Sequence, residues 1–480
     1  MAMRETPHSD SPSSDIPGTA DASWKQELQA TIALATPLAL ANLLQSGIYI
    51  VDVIFIARLG EEPLAASGLA TGLFGLIVWS LASLTGAVAP VIAEAIGSRS
   101  PSFRPVRRAT RMALWLAVFA AIFGMGLALL LGPVMVITGQ EPAIIALANE
   151  YNWLIIYSLM PMLLAAVLRN YVSALGRPVF ATAISALGIP VNALANYTFI
   201  FGNFGAPEMG LTGAAVATII TAFVMLSAYV VIILTVPGLK RYRPFYRFWR
   251  PDWQRFRLIV RIGAPIALTV MAEAGVFSAA AFLMGRIGAA ELAGHIVALN
   301  IAALAFQVPF GVGQAVTIRV GYSYGAQDPI GIKLAGWVAI AVGTGFMALT
   351  ALTMVLVPEY LLMLFVEIDD PANAALIGFA LQFLVLAAAF QLVDGVQAVA
   401  AGALRGLQDT RVPMWIAIFS YWVPGFGLAF GLGLFTPLQG TGVWIGLATG
   451  LAFAAVLLLW RWILRERLDL ISKPGAPVPV

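Results

Sequence analysis

Apolar residues fill this chain in runs of roughly 20 to 30, broken by short stretches of Gly, Pro and charge. A helix rises 1.5 Å per residue, so about 20 such residues cross a hydrocarbon layer of about 30 Å. The pattern predicts twelve membrane-spanning helices, near 29–57, 64–93, 109–132, 143–170, 178–201, 210–236, 258–285, 293–320, 333–357, 374–403, 413–436 and 440–463. The start, MAMRETPHSDSPSSDIPGTADAS, has no apolar core and is rich in Pro, Ser and Asp. It is expected to be a disordered tail rather than a cleaved leader.

The breakers themselves repeat. With residues 37–101 set above 265–329 at a constant offset of 228, Pro37 meets Pro265, Gly47 meets Gly275 and Arg58 meets Arg286. In the same register Gly60 meets Gly288, Gly97 meets Gly325 and Pro101 meets Pro329. Further on, LRNYVSALGRP (168–178) echoes LRGLQDTRVP (404–413), and LTGAAVAT (211–218) echoes GTGVWIGL (440–447). Each half holds six spans, and an even number keeps both halves in one orientation. The expected fold is therefore an all-α polytopic membrane protein of two six-helix bundles, related by a pseudo-twofold axis along the membrane normal, with a cavity between them. The predicted organisation is a cytoplasmic tail over 1–28, a lobe over 29–236, a basic inter-lobe loop over 237–257 acting as hinge, a second lobe over 258–465 and a tail over 466–480. Pro161, Pro190, Pro265, Pro309 and Pro424 lie within spans and suit bundles that bend and rock.

Charge sets the orientation. Of 27 Lys and Arg, only Arg58 and Arg286 fall on the side opposite the termini, so the positive-inside rule makes both termini cytoplasmic in a bacterial-type inner membrane. The basic stretch 240–261 then marks topology and anionic lipid rather than nucleic acid. With 60% hydrophobic and 11% charged residues, the chain carries about half the charge of a soluble protein. It has no Cys, and His8 and His295 are far apart in sequence. Thiol chemistry, disulfides, Cys-ligated metal and a multi-His centre are thereby excluded, and no cofactor is expected. No GxxxxGK[ST] phosphate loop occurs, so an ion gradient is the expected energy source. No nucleophile–base constellation points to an enzyme.

Three acids lie well inside spans: Asp52, Glu273 and Asp394. A charge at the centre of a spanning helix costs roughly 2.5–3.5 kcal/mol on insertion scales, which marks such residues as functional candidates. Counting at 1.5 Å per residue puts Glu273 roughly 20 Å from the Arg286 end of its span, Asp394 roughly 16 Å from the Arg405 end, and Asp52 roughly 9 Å from the Arg58 end. No Lys or Arg is expected deep enough to pair with them. Their neighbours form polar stripes at helical spacing: Asn42, Gln45, Tyr49 and Asp52; Asn192 and Asn196; Thr269 and Glu273; Asn300, Gln307 and Gln314; Gln391, Asp394 and Gln397. Such stripes face a protein interior or a wet cavity, or serve as interhelical glue. Acids without counter-charges favour cationic cargo.

Four strings resemble one known family. TPLALANLLQSGIYIVDVIFIARLGEEPLAA (36–66), IPVNALANYTFIFG (189–202), APIALTVMAEAGVF (264–277) and FQLVDGVQAVAAGALRG (390–406) are similar to spans 1, 5, 7 and 10 of the multidrug and toxic compound extrusion (MATE) family. The likeness covers residues 29–465 and points to the NorM-like branch. It implies efflux of cationic, amphipathic drugs in exchange for inward sodium or protons, by a chain acting as a monomer in the lipid bilayer. It also implies a coupling cation, sodium or proton, at Glu273 and Asp394, with Asp52 as a further ion site. Some members carry Tyr where this chain has Phe390, so one hydroxyl is absent here. A flippase of lipid-linked precursors, of related architecture, is the alternative. It would call for basic residues in the cavity to hold phosphate.

Overall fold

The computed structural model describes residues 23–98, 102–368 and 370–471. Twelve helices are long and apolar enough to cross a membrane. In the N-lobe they are α1 (Trp24–Ala57), α2 (Glu61–Gly97), α3 (Arg104–Ile137), α4 (Pro142–Ala174), α5 (Val179–Phe201) and α6 (Leu211–Thr235). In the C-lobe they are α7 (Trp253–Ile287), α8 (Ala289–Gly325), α9 (Pro329–Leu356), α10 (Ala374–Gly406), α11 (Arg411–Phe435) and α12 (Gln439–Glu466). No strand occurs among the described residues. Most of each predicted tail, residues 1–22 and 472–480, lies outside them.

Helices α1 and α7 start at Trp24 and Trp253, ahead of the apolar runs predicted from 29 and 258. Caps account for the difference. Ser23 forms a reciprocal capping box with Gln26, and the Asp252 side chain accepts from the Arg255 amide. These satisfy first-turn amides that hydropathy does not register. Prolines shape the interiors. Pro90 has no N–H to give the carbonyl of Gly86, and α2 breaks at Ala87. Around Pro424, α11 widens into a π-turn over Tyr421–Phe426.

Within the N-lobe, α1 packs on α5 and α5 on α6; within the C-lobe, α7 packs on α11 and α11 on α12. Between lobes, α1 meets α8 and α2 meets α7, contacts that the internal repeat exchanges. These contacts are tightest at the end that carries the termini. A Cβ on Gly97 would lie 2.0 Å from the Tyr322 carbonyl oxygen, and one on Gly325 would lie 2.1 Å from that of Glu94. Both members of this crossing are related by the repeat offset. By contrast, a Cβ on Gly68, Gly72 or Gly75, toward the other end of α2, would meet nothing within 4 Å. One apolar core runs through the N-lobe into the terminal-end halves of α7 to α10, while the far half of the C-lobe packs around a separate core. The lobes thus form a V, sealed at the terminal end and parted at the far end.

Polar ties reinforce the seal. Arg319 of α8 forms a buried, two-pronged ion pair with Glu27 of α1. The Tyr322 hydroxyl donates to the Ala174 carbonyl, and the Gln408 amide donates to Glu94 over 2.6 Å. The inter-lobe loop is held against the N-lobe. Arg111 and Trp115 of α3 donate to the carbonyls of Arg247 and Phe248, each over 3.1 Å. Trp115 also packs edge-on against Trp253, and Phe119 against Phe256. Aromatic residues dock the loop on α3.

Removing one member of a buried ion pair strands the other charge, at a cost of about 3–5 kcal/mol. Arg319→Met alone is therefore expected to lower the thermal midpoint in detergent by several degrees, and Glu27→Leu/Arg319→Met to recover most of the loss. A double variant as unstable as the single one would refute a paired role.

Candidate functional site

The structure builds two polar centres, one inside each lobe, and a third group at the floor of the cleft between them.

In the N-lobe, Asn192 and Asn196 are four residues apart on α5, one turn of one face, and both are fully buried. Asn192 and Asn196 donate from Nδ2 to Asp52 Oδ1 over 2.9 and 2.7 Å, and Asn196 also donates to Asn192 Oδ1 over 3.1 Å. Thr218 of α6 donates to Asp52 Oδ2 over 3.4 Å. Thr218 was missed from the sequence because a lone Thr also bonds its own helix, as it does here to the Ala214 carbonyl. The carboxylate of Asp52 is thus closed over by neutral donors from two helices.

The C-lobe centre is different in kind. Asp394 on α10 is 6% exposed, and its Oδ1 has no hydrogen-bond partner among the described residues. Glu273 on α7 lines a cavity with Phe277, Tyr421, Gly425 and Gly450. Gln391, Asp394 and Gln397 do not form one stripe. At 100° per residue a step of three falls 60° short of a full turn, so the set winds around α10. Gln391 accepts from Thr350 of α9 over 2.8 Å and faces Ala302 of α8. Gln397 donates to the Tyr421 hydroxyl over 2.8 Å. Thr269, one turn from Glu273, bonds its own helix at the Pro265 carbonyl. Phe390 is buried edge-on against Phe277 and Trp444, with ring centroids 6.1 and 5.8 Å away.

At the cleft floor, Arg169 of α4 donates to Gln45 Oε1 (2.8 Å), Asn42 Oδ1 (2.6 Å) and Gln314 Oε1 of α8 (3.2 Å). It joins both lobes. Asn42 and Gln45 therefore belong to this network and not to the Asp52 centre, while Tyr49 is 53% exposed. Asn300 is exposed and bonds its own helix at Ile296, and Gln307 is half-buried. With Gln314 they recur about every 10.5 Å along one face of α8 and share no centre.

Arg169 corrects one expectation: the interior is not free of basic groups. Arg405, its counterpart in the echoed strings around 168–178 and 404–413, lines a cavity inside the C-lobe with Thr269 and Gln397. Both arginines sit at span ends and read as loop-flanking charges, but a long side chain carries its charge well away from its Cα. Their match in the repeat was the available signal.

The MatE family description matches residues 37–198 and 265–430. The chain is 43% identical over 456 residues to the probable multidrug resistance protein NorM of Mesorhizobium japonicum, covering 93% of this chain and 95% of that one. It is 38% identical over 446 residues to the multidrug resistance protein NorM of Burkholderia vietnamiensis, covering 92% and 95%. Its fold is similar to that of the eukaryotic MATE transporter AtDTX14, with a TM-score of 0.84 at 17% identity over 94% of this chain and 98% of that one. It is also similar to a multidrug resistance MATE family transporter solved in an outward-facing conformation, with a TM-score of 0.82 at 22% identity over 93% and 97%. Through both halves of its internal repeat, this chain belongs to the MatE family and is a membrane transporter rather than an enzyme.

Proposed function

We propose that the chain is a secondary active multidrug efflux antiporter, exporting cationic amphipathic compounds in exchange for inward sodium ions or protons. It works as a monomer in a bacterial-type inner membrane with both termini cytoplasmic. The observation that carries this is the C-lobe centre: Glu273 lines a cavity inside the lobe, and Asp394 keeps a buried oxygen without a partner among the described residues. Buried polar atoms are nearly always bonded, so this oxygen suits a mobile occupant. Oxygen ligands fit a hard cation such as sodium. A proton serves equally, since it removes the cost of keeping the buried Asp394 carboxylate ionised. The names of the NorM relatives support multidrug efflux. The clustering of basic residues at the terminal end supports a cytoplasmic seal and a cleft open to the outside.

The flippase alternative gains one observation, the Arg169 guanidinium at the cleft floor. Three amide oxygens already occupy it, which favours a structural tie over a phosphate cradle. Inverted vesicles separate the two readings. Gradient-driven uptake of a fluorescent cationic dye is expected, and movement of phosphate-bearing lipid with no dye uptake would replace this proposal with its rival.

Asp394→Asn and Glu273→Gln keep volume and hydrogen bonding but remove the charge. Each is expected to cut coupled transport at least about tenfold, a loss of about 1.4 kcal/mol, while the protein stays monodisperse on size exclusion. Wild-type transport in either variant would reduce that acid to interhelical glue.

Asp52→Asn is expected to lower transport as well, because the amide removes the charge and turns one of the two acceptor oxygens, Oδ1 facing Asn192 and Asn196 or Oδ2 facing Thr218, into a donor. Unchanged transport across a pH series would make Asp52 purely structural.

Phe390→Tyr places a hydroxyl one turn from Asp394. Sodium stimulation that rises in this variant, measured with the proton gradient clamped, is expected if the hydroxyl completes an ion shell. An unchanged sodium response would show that position 390 does not set ion choice.

A further inference from the structure

The C-lobe holds a second cavity, one step nearer the terminal end than the one at Glu273. It is lined by Thr269 of α7, Gln397 and Arg405 of α10, and Thr410 at the start of α11. Every lining residue of both cavities belongs to the C-lobe, so neither is part of the cleft between lobes. The two stack along the same helices. Thr269 lies one turn from Glu273 on α7, and Arg405 lies two turns beyond Gln397 on α10. The hydrogen bond from Gln397 to the Tyr421 hydroxyl stands between them.

Asp394 Oδ1, Gln397 Oε1 and Ser420 Oγ lack partners among the described residues; Gln397 lines the lower cavity, Asp394 precedes it by three residues on α10, and Ser420 adjoins Tyr421 on α11. Their residues are 6, 3 and 0% exposed. Buried oxygens left open in this way are normally filled by water or a cation. The backbone beside them is the π-turn of α11 that begins at Tyr421, a feature common where a helix must adapt at a functional site. Gly450 of α12 lies against that turn, where a Cβ on it would come within 2.8 Å of the Gly425 Cα. The column is therefore built by three helices and is not a gap left by poor packing.

We propose that the coupling cation leaves the Glu273–Asp394 centre toward the cytoplasm through this column inside the C-lobe, past Gln397 and Tyr421, with Arg405 as the fixed positive charge that controls passage. Ion and drug then follow separate paths, the drug in the cleft between lobes and the ion within one lobe. The sealed crossing at Gly97 and Gly325 does not have to open for the ion to depart. Arg405, on the wall of the lower cavity, repels cations entering from the cytoplasm and holds the column shut to leak. Sodium and a proton carried on water use the same open oxygens.

This route rests on the coupling proposed above, but its test reads access alone. The chain has no Cys, so single cysteines can be introduced without background. Silver ion, a thiol-reactive cation close to sodium in size, is applied to the cytoplasmic face of inverted vesicles without drug. Protection of each thiol from later maleimide labelling gives the rate. Ala401→Cys lines the lower cavity, and Ala93→Cys, fully buried against Gly321 at the seam between lobes, reports the cleft route. Ala401→Cys is expected to react at least about tenfold faster than Ala93→Cys, and Arg405→Gln to raise the Ala401→Cys rate by about tenfold more. Thr269→Cys reads the same cavity from α7 should Ala401→Cys not fold. Equal rates at cavity and seam, or no response to Arg405→Gln, would overturn the route. Either result can stand while the Glu273 and Asp394 variants still abolish coupling, so the two proposals fail separately.

Discussion

Gly97 and Gly325 let α2 and α8 cross so closely that each backbone occupies the space of the other's missing Cβ. Everything else in the molecule is arranged around that crossing. It lies on the pseudo-twofold axis, so it fixes how the two lobes face one another. It pulls Arg319 within reach of Glu27 and Tyr322 within reach of Ala174. Further close approaches, of Gly263 to the Leu84 carbonyl and of Gly311 to the Ala39 backbone, continue the seam up the helices. The cleft is the geometric complement of the seal.

The repeat makes the two lobes alike in backbone, but their polar centres have diverged. Asp52 has its hydrogen-bonding capacity met by side chains of α5 and α6, so it behaves as a closed knot that holds α1 to its neighbours. In the C-lobe, Asp394 keeps a buried oxygen without a partner among the described residues, where an open oxygen is costly.

The fold was legible because a bilayer leaves few options: apolar length, breakers and basic loops suffice for twelve spans in two halves. Caps were less visible, since Ser23 and Asp252 act through single hydrogen bonds beyond the apolar runs. Site residues were legible when they were acids or fell four apart on one helix, as Asn192 and Asn196 do. Steps of three were misleading, because Gln391 and Gln397 wind to opposite neighbours. Arg169 and Arg405 were hidden by their length, since Cα positions near a span end say little about where a guanidinium lies. Thr218 and Ser420 were hidden because a hydroxyl on a helix usually satisfies itself.

The aromatic docking of the inter-lobe loop has a mechanical consequence. With Trp115 and Phe119 gripping Trp253 and Phe256, the first turns of α7 are fastened to the N-lobe, although the rest of the helix is built into the C-lobe. Helix α7 is thus a beam clamped at both ends to different bodies. Any rocking between those bodies must flex the beam, and its weakest section is at Pro265, where a backbone hydrogen bond is missing. Glu273 is mounted about two turns past that section, so relative movement of the lobes is delivered mechanically to the acid's own helix.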